Sequence, residues 1–476
     1  MNDKCIYAQY YNDKETKDLR FDIYGYSPPL KLSIFLDNNL VAKTGLDFRT
    51  VERYQEYMEA GFNVLLMQTS GTYNGEEWET SDCKRVLDMA YEAGIDKVIV
   101  LDDRLMLPTL EKTGLIGEDK KFKNTEELEK YVADCLQTYK DHPAFYGVQI
   151  KDEPLSQQLE AVGQIYKAVK KFDKNIFVQC CLLPYVGMGP ACHAYHGVDD
   201  GGDMAERYEA YLEAFLDATN ADYIMYDQYP LQSDGTVFNR MYFLGMQIAG
   251  NVCKKRGVKF YYVIQAFSML LNGEKCLRLP DQDEMFYQLN AVLGFGVKQF
   301  AYYTYWSGSS VRLNGEMRPD GGAMMTRRGE KTPLYGYVQT VNAMAQKLAP
   351  VLMNFEYSSD RYVMKMPFKT HPFHLYFTRR GKLEKVIKAE TDQEVALINE
   401  LYDKNKGQYL YKIQNITYNY YEKQLGLGKQ TTTVTFAPEY TKVDVFDGEE
   451  WKTVALEDGK YTVELAAGYA VYLLPY

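Results

Sequence analysis

The chain is short of the residues and patterns that would commit it to several kinds of chemistry. Only 5 histidines occur among 476 residues, so a histidine-centred mechanism is disfavoured and carboxylates and tyrosines are the expected reagents. The 8 cysteines (Cys5, Cys83, Cys135, Cys180, Cys181, Cys192, Cys253, Cys276) are too thinly spread for a disulfide scaffold and fit reduced, buried thiols. One cluster, CCLLPYVGMGPACHAYH, offers Cys181, Cys192, His193 and His196 to a metal, but its spacing matches no standard zinc pattern. Neither a metal nor a cofactor is expected. No apolar run approaches the ~20 residues of a membrane-spanning helix. The opening MNDKCIYAQYYNDKETK also lacks the apolar core of a signal peptide. The expectation is a cytoplasmic protein, or a secreted one whose leader has been removed. Positive charge is scarce too: 54 Lys and Arg face 65 Asp and Glu, a net charge of −11. That balance argues against nucleic acid or an anionic membrane as partner. Internal repeats, low-complexity tracts and long linkers are missing as well.

What is abundant is tyrosine, with 43 copies, in a chain that is 46% hydrophobic and 25% charged. Tyrosine brings a flat apolar face and a hydroxyl, suited to stacking on sugar rings or to core packing. A length of 476 residues exceeds the usual limit of a single core, so two domains are the starting expectation.

Eight apolar runs rich in Val, Ile, Tyr and Phe alternate with helical stretches. The runs cover 31–39, 61–70, 95–104, 145–154, 175–184, 221–231, 259–268 and 297–306. Helix signals stand between them: Thr50 as N-cap and Gly61 as stop, Ser81 or Asp82 as cap and Gly94 as stop, Asn124 or Thr125 followed by acids. This alternation predicts a (β/α)8 TIM barrel over residues 1–350. An open doubly wound sheet is the rival, disfavoured because no glycine-rich phosphate loop follows the first run. Beyond residue 350 the pattern turns to period two (TTTVTFAP, TKVDVFDGEEWKTV, KYTVELAAG, YAVYLLPY), predicting a small antiparallel β-domain over 351–476, a sandwich.

Barrel enzymes place their sites at the C-terminal ends of the strands. Those ends carry Asp37–Asn38–Asn39, Gln68–Thr69–Ser70, Asp102–Asp103–Arg104, Lys151–Asp152–Glu153, Tyr226–Asp227–Gln228–Tyr229, Gln265, and Tyr303 to Trp306. Adjacent acids after an apolar run are costly to bury and serve folding only as caps of the next helix. At a barrel mouth they instead describe an acidic, aromatic-rimmed cleft. Such a cleft suits glycoside hydrolysis, which needs one protonated carboxylic acid and a second group for the oxocarbenium-like charge. Glu153 is the expected general acid, with Asp152 helping to raise its pKa and Lys151 opposing. Asp227 is the candidate second carboxylate. Gln68, Asp103, Tyr226, Tyr229, Gln265, Tyr303 and Trp306 are the candidate substrate-binding residues.

The segment HPAFYGVQIKDEP resembles the fourth strand of clan A glycoside hydrolases such as the family-42 β-galactosidases, where that strand ends in Asn-Glu-Pro with Glu as acid/base. Here Asp152 stands in the Asn position and Glu153 matches the acid/base. EYMEAGFNVLLM, AVLGFGVKQFAYYTYW and TPLYGYVQTVNAMAQKL are similar to other segments of these enzymes, so the resemblance covers most of 45–350. It implies a TIM-barrel glycosidase, exo-acting and anomer-retaining on a short oligosaccharide or glycoside. One departure stands out: the clan's nucleophile is a Glu ending the seventh strand, and this chain has Gln265 there. Three explanations stay open. The mechanism is substrate-assisted, as in chitinases and hexosaminidases, which Asp152–Glu153 and IMYDQY resemble. Or Asp227 or Asp103 is the second carboxylate. Or Gln265 is a substitution, or marks a barrel that binds carbohydrate without cleaving it. A metal-dependent lyase or isomerase built on Asp102, Asp103 and a histidine is the remaining class. The expected partner is a carbohydrate, with no nucleic acid and no membrane; homo-oligomer formation is left open.

Overall fold

The computed structural model describes all residues except 1–4, 33–34, 37–39, 42–45, 68–78, 80, 186–202, 236, 238, 272–273, 308–311, 314–315, 318–321, 365–381, 393–394 and 418–427. Its core is a set of eight parallel strands: β1 (Asp22–Gly25), β2 (Leu65–Leu66), β3 (Val98–Leu101), β4 (Phe145–Asp152), β5 (Phe177–Cys181), β6 (Tyr223–Asp227), β7 (Lys259–Gln265) and β8 (Val297–Tyr303). They form two four-stranded sheets, in the orders β2-β3-β4-β5 and β1-β8-β7-β6. The edges of the two sheets meet. Leu182 N–H donates to Met225 O at 2.8 Å, beside a parallel bridge between Leu182 and Tyr226. On the other side Asn63 and Val64 N–H groups both reach Ile23 O, at 3.0 and 3.2 Å.

Helices fill the connections, and their ends follow the chemistry read in the sequence. The Thr50, Ser81 and Asn124 side chains accept from the backbone N–H groups of Arg53, Lys84 and Glu127. Asp281 and Glu284 form a reciprocal capping box. Gly94 ends its helix in the left-handed region, at φ 101°.

The first parallel strand is a correction. It is Asp22–Gly25, not the apolar run 31–39. Lys31–Leu32 instead pairs antiparallel with Leu46–Asp47, and Phe35–Leu36 with Leu40–Val41. Asp37–Asn38–Asn39 lies outside the described residues. A four-residue strand, DIYG, is too short to outweigh a longer apolar run nearby in any pattern count, and only its pairing with β8 identifies it.

Tyrosine packs the core. Tyr24, Tyr54, Tyr57, Tyr139, Tyr166, Tyr223 and Tyr262 are fully buried, and several hydroxyls close backbone groups: Tyr57 on Val64 O (3.0 Å), Tyr223 on Val178 O (2.6 Å), Tyr262 on Gln228 O (3.0 Å). Burying the ring while satisfying the hydroxyl is what makes so many tyrosines tolerable inside.

After the helix Pro333–Leu352 the described residues form nine antiparallel strands: β9 (Glu356–Met364), β10 (Val386–Thr391), β11 (Val395–Asp403), β12 (Gln408–Asn415), β13 (Gln430–Phe436), β14 (Lys442–Phe446), β15 (Trp451–Ala455), β16 (Lys460–Leu465) and β17 (Ala470–Pro475). They make a six-stranded sheet, β9-β11-β12-β17-β14-β15, and a three-stranded one, β10-β13-β16. Val386, Ile398, Ile413, Val434, Phe436, Val443 and Leu473 form a buried cluster drawn from both. The opposite face of the larger sheet, with Leu397, Leu401, Leu410, Tyr472 and Leu474, joins the main core. The helix Ile6–Asn12 packs on this sheet too: Tyr10 donates to Asp403 at 2.8 Å, and Tyr7 stacks on Trp451 at 5.5 Å. Among the described residues no helix is long and apolar enough to cross a membrane.

Candidate active site

The strand ends bring three carboxyls together. Asp152 closes β4, Glu153 follows it, and Asp227 closes β6. The Glu153 and Asp227 carboxyls lie close enough to perturb each other's titration. Tyr229 hydrogen-bonds Asp227, and the Cys181 thiol at the end of β5 points to Asp227 Oδ1 from 4.0 Å.

All three acids titrate upward. Burial pushes Asp152 to about 6, against the pull of Lys151. Burial also raises Glu153, the Asp152 charge raises it further, and the Asp227 contact and Lys151 pull it back. Asp227 is raised well above the ordinary range by burial and then by the Glu153 charge, with the Tyr229 hydrogen bond opposing. Asp152 and Glu153 nevertheless keep solvent-exposed side chains, whereas Asp227 is 8% exposed. Water reaches the first two, yet the surrounding protein withholds full hydration. Crowded carboxyls of this kind retain a proton towards neutral pH.

The backbone at the acid is unusual. Glu153 sits at φ 43°, in the left-handed region, which costs a residue with a Cβ about 1–2 kcal/mol. The β4–β5 pairing slips between Gln149 and Lys151, so that Asp152 lies opposite Cys181, and Glu153 N–H donates to Cys181 O at 2.8 Å. Strain of this sort persists where the surroundings over-determine the conformation.

An aromatic wall stands beside the acids. Tyr303, 37% exposed, packs on Phe267 (4.9 Å), Tyr26 (5.7 Å) and Tyr229 (6.0 Å). Tyr26, whose hydroxyl accepts from Gln179 Nε2 at 3.0 Å, feels the Asp152 charge. Tyr26, Phe267 and Gln179 were not among the sequence candidates, and Cys181 was one only for a metal. Tyr26 was hidden by the misassigned first strand, and the signal for Phe267 was its place two residues past Gln265.

The other candidates are dispersed. Tyr226 is fully buried on the opposite face of β6 from Asp227, against Tyr208, Phe260 and Tyr262; it does not face the cleft. Trp306 is fully buried too, packed on Phe48 at 4.6 Å, so the expected sugar platform is a piece of core. Gln265, also buried, is bound to backbone: Oε1 accepts from Leu231 N–H (2.9 Å), while Nε2 faces the carbonyls of Leu231 (3.3 Å), Phe267 (3.3 Å) and Arg278 (3.0 Å). Its amide ties loops together and leaves no N–H for a sugar. Asp103 opens a short helix, Asp103–Met106, beyond β3; its neighbour Asp102 is buried, paired with Arg104 at 2.7 Å and bonded by Tyr139. Gln68, Cys192, His193 and His196 lie outside the described residues. Among the described residues no group of three or more His, Cys, Asp or Glu is arranged to hold a metal ion.

No protein-family model matches the sequence, and no curated protein matches it. Solved structures do resemble the chain in fold. A family-27 β-L-arabinopyranosidase from Geobacillus stearothermophilus is similar over 98% of this chain and 98% of its own, with a TM-score of 0.51 at 9% identity. An Anoxybacillus α-amylase is similar over 97% and 99%, with a TM-score of 0.49 at 12% identity. A Thermotoga maritima xylanase, 10B, is similar over 70% and 98%, with a TM-score of 0.42 at 12% identity.

Proposed function

We propose that this chain is a glycoside hydrolase, with residues 1–350 forming a (β/α)8 catalytic barrel and 351–476 a supporting β-domain. The hydrogen bonds joining the edges of the two parallel sheets support the closed barrel. The observation that carries the activity is the trio Asp152, Glu153 and Asp227, gathered from two strand ends into a cleft beside an exposed tyrosine. Glu153, held protonated, donates its proton to the glycosidic oxygen as the bond to the anomeric carbon breaks and its electron pair leaves with that oxygen. The Glu153 carboxylate then takes a proton from the water that completes hydrolysis. Tyr303 and Tyr229 offer ring faces to the sugar. We also read the enzyme as exo-acting on a short oligosaccharide or glycoside; retained configuration is what a nucleophile paired with an acid/base produces. A carbohydrate partner also accords with the arabinopyranosidase that shares this fold.

The second role falls to Asp227 or to the substrate. For Asp227 to attack the anomeric carbon, the two carboxyls must stand the ~5–5.5 Å apart of a retaining pair. A second reading, hydrolysis assisted by the acetamido group of an N-acetylhexosaminide, is favoured by one observation: the end of β7 carries Gln265, bound to backbone, where a nucleophile would stand. Asp152 would then steer the acetamido group. The test is aryl-alcohol release from β-galactosides, β-glucosides and N-acetyl-β-hexosaminides. Turnover of plain glycosides assigns the role to Asp227, and turnover confined to N-acetylated sugars assigns it to the substrate. Affinity for sugars without turnover of any would make the barrel a binding protein.

A further inference from the structure

Glu153 needs help to stay where it is. A residue with a Cβ at φ 43° relaxes towards the right-handed or extended regions unless both flanks are held, and relaxation swings the Cα–Cβ bond and carries the carboxyl away. Upstream, the strand ladder and the Glu153 N–H bond to Cys181 O supply the hold. Downstream, Pro154 has no N–H to give, and the chain is secured through its carbonyl. Pro154 O accepts from the Tyr211 hydroxyl at 2.7 Å, and that same hydroxyl accepts from Leu183 N–H at 3.3 Å. Tyr211 lies on the helix Met204–Thr219 and is 2% exposed, so it reaches the β4 and β5 ends from behind the cleft.

We propose that Tyr211 is a positioning residue for the reaction, fixing the Glu153 carboxyl in its acid-donating orientation by clamping the turn Glu153–Pro154 to the end of β5. The inference rests on the reading of Glu153 as general acid. Tyr211 touches neither sugar nor reacting atoms; it acts through the backbone. Its buried ring stacks on Tyr208, with ring centres 6.5 Å apart, which limits the freedom of the clamp. Nothing in the sequence pattern singles out Tyr211 from the other tyrosines, because its hydroxyl acts on residues 57 positions away in the chain.

The leaving group separates positioning from mere structure. A glycoside with a poor leaving group, such as a phenyl glycoside, needs proton donation, whereas a dinitrophenyl glycoside departs without it. Wild type, Tyr211→Phe and, as a control lacking a buried hydroxyl on the same helix, Tyr208→Phe are assayed on both aglycones of whichever of the three sugars wild type cleaves. Tyr211→Phe is expected to lose about tenfold or more in kcat on the phenyl glycoside, with KM held and the dinitrophenyl rate changed little. Tyr208→Phe is expected to leave the ratio of the two rates at its wild-type value. Equal losses on both aglycones would overturn the positioning role while leaving the hydrolase reading intact. Wild type inert on every glycoside would overturn the hydrolase reading and this inference with it. Should Tyr211→Phe fail to fold, a ring-fluorinated tyrosine at 211 keeps the contact and alters only the donor strength. It is expected to shift the phenyl rate selectively, and an unchanged ratio would overturn the proposal.

Discussion

Glu153 and Gln265 show how far a side chain's identity depends on what surrounds it. The Gln265 amide faces three backbone carbonyls, which a carboxylate could only repel. Gln265→Glu is therefore expected to destabilise the fold by about 1–3 kcal/mol and to add no activity; thermal melts run beside aryl-glycoside assays check both. The carboxyl trio behaves in the opposite way. Each acid binds its proton more tightly folded than unfolded, so the stability it contributes is complete below the ordinary carboxylate range. That stability is lost as pH rises through the folded value, about 6 for Asp152. Asp152→Asn escapes the loss, and is expected to melt higher than wild type at about pH 8 and level with it near pH 4. Melting temperatures across that range provide the check. At this scale the placing of Asp152 and Asp227 at strand ends, with Glu153 next in line, was legible because acids straight after apolar runs are anomalous. Tyr226 and Trp306 were misplaced because position at a strand end does not set side-chain direction: successive residues point to opposite faces.

Element by element, the reading held best where periodicity was long. Seven of the eight parallel strands fall within their expected runs, and the caps at Thr50, Ser81 and Asn124 do the work their residue types imply. The first strand failed because DIYG carries four residues of signal against a longer apolar neighbour, and that failure concealed Tyr26 as well. Trp306, just past β8, packs against Phe48 and the Arg53 guanidinium (5.9 Å) and ties the last parallel strand to the helix Val51–Glu59. Trp306→Ala is expected to cost about 3–5 kcal/mol of stability, leaving KM near the wild-type value in whatever remains folded. Denaturant titration with steady-state kinetics tests the pair of outcomes, and a rise in KM without loss of stability would restore Trp306 to the substrate.

Over the whole molecule, the switch from helical alternation to period two near residue 350 was plain in the sequence. The mutual burial of the two parts was not. Leu397, Leu401 and Tyr472 of the larger β-sheet enter the main core, and the N-terminal helix crosses to meet Asp403 and Trp451. Contacts between residues hundreds of positions apart leave no local trace in a sequence. The measurement that tests the central claim most directly is phenyl-glycoside turnover by wild type and Glu153→Gln. The account predicts cleavage by wild type and a fall of about 10²–10⁴ in kcat/KM for the variant; equal rates for the two proteins would contradict it.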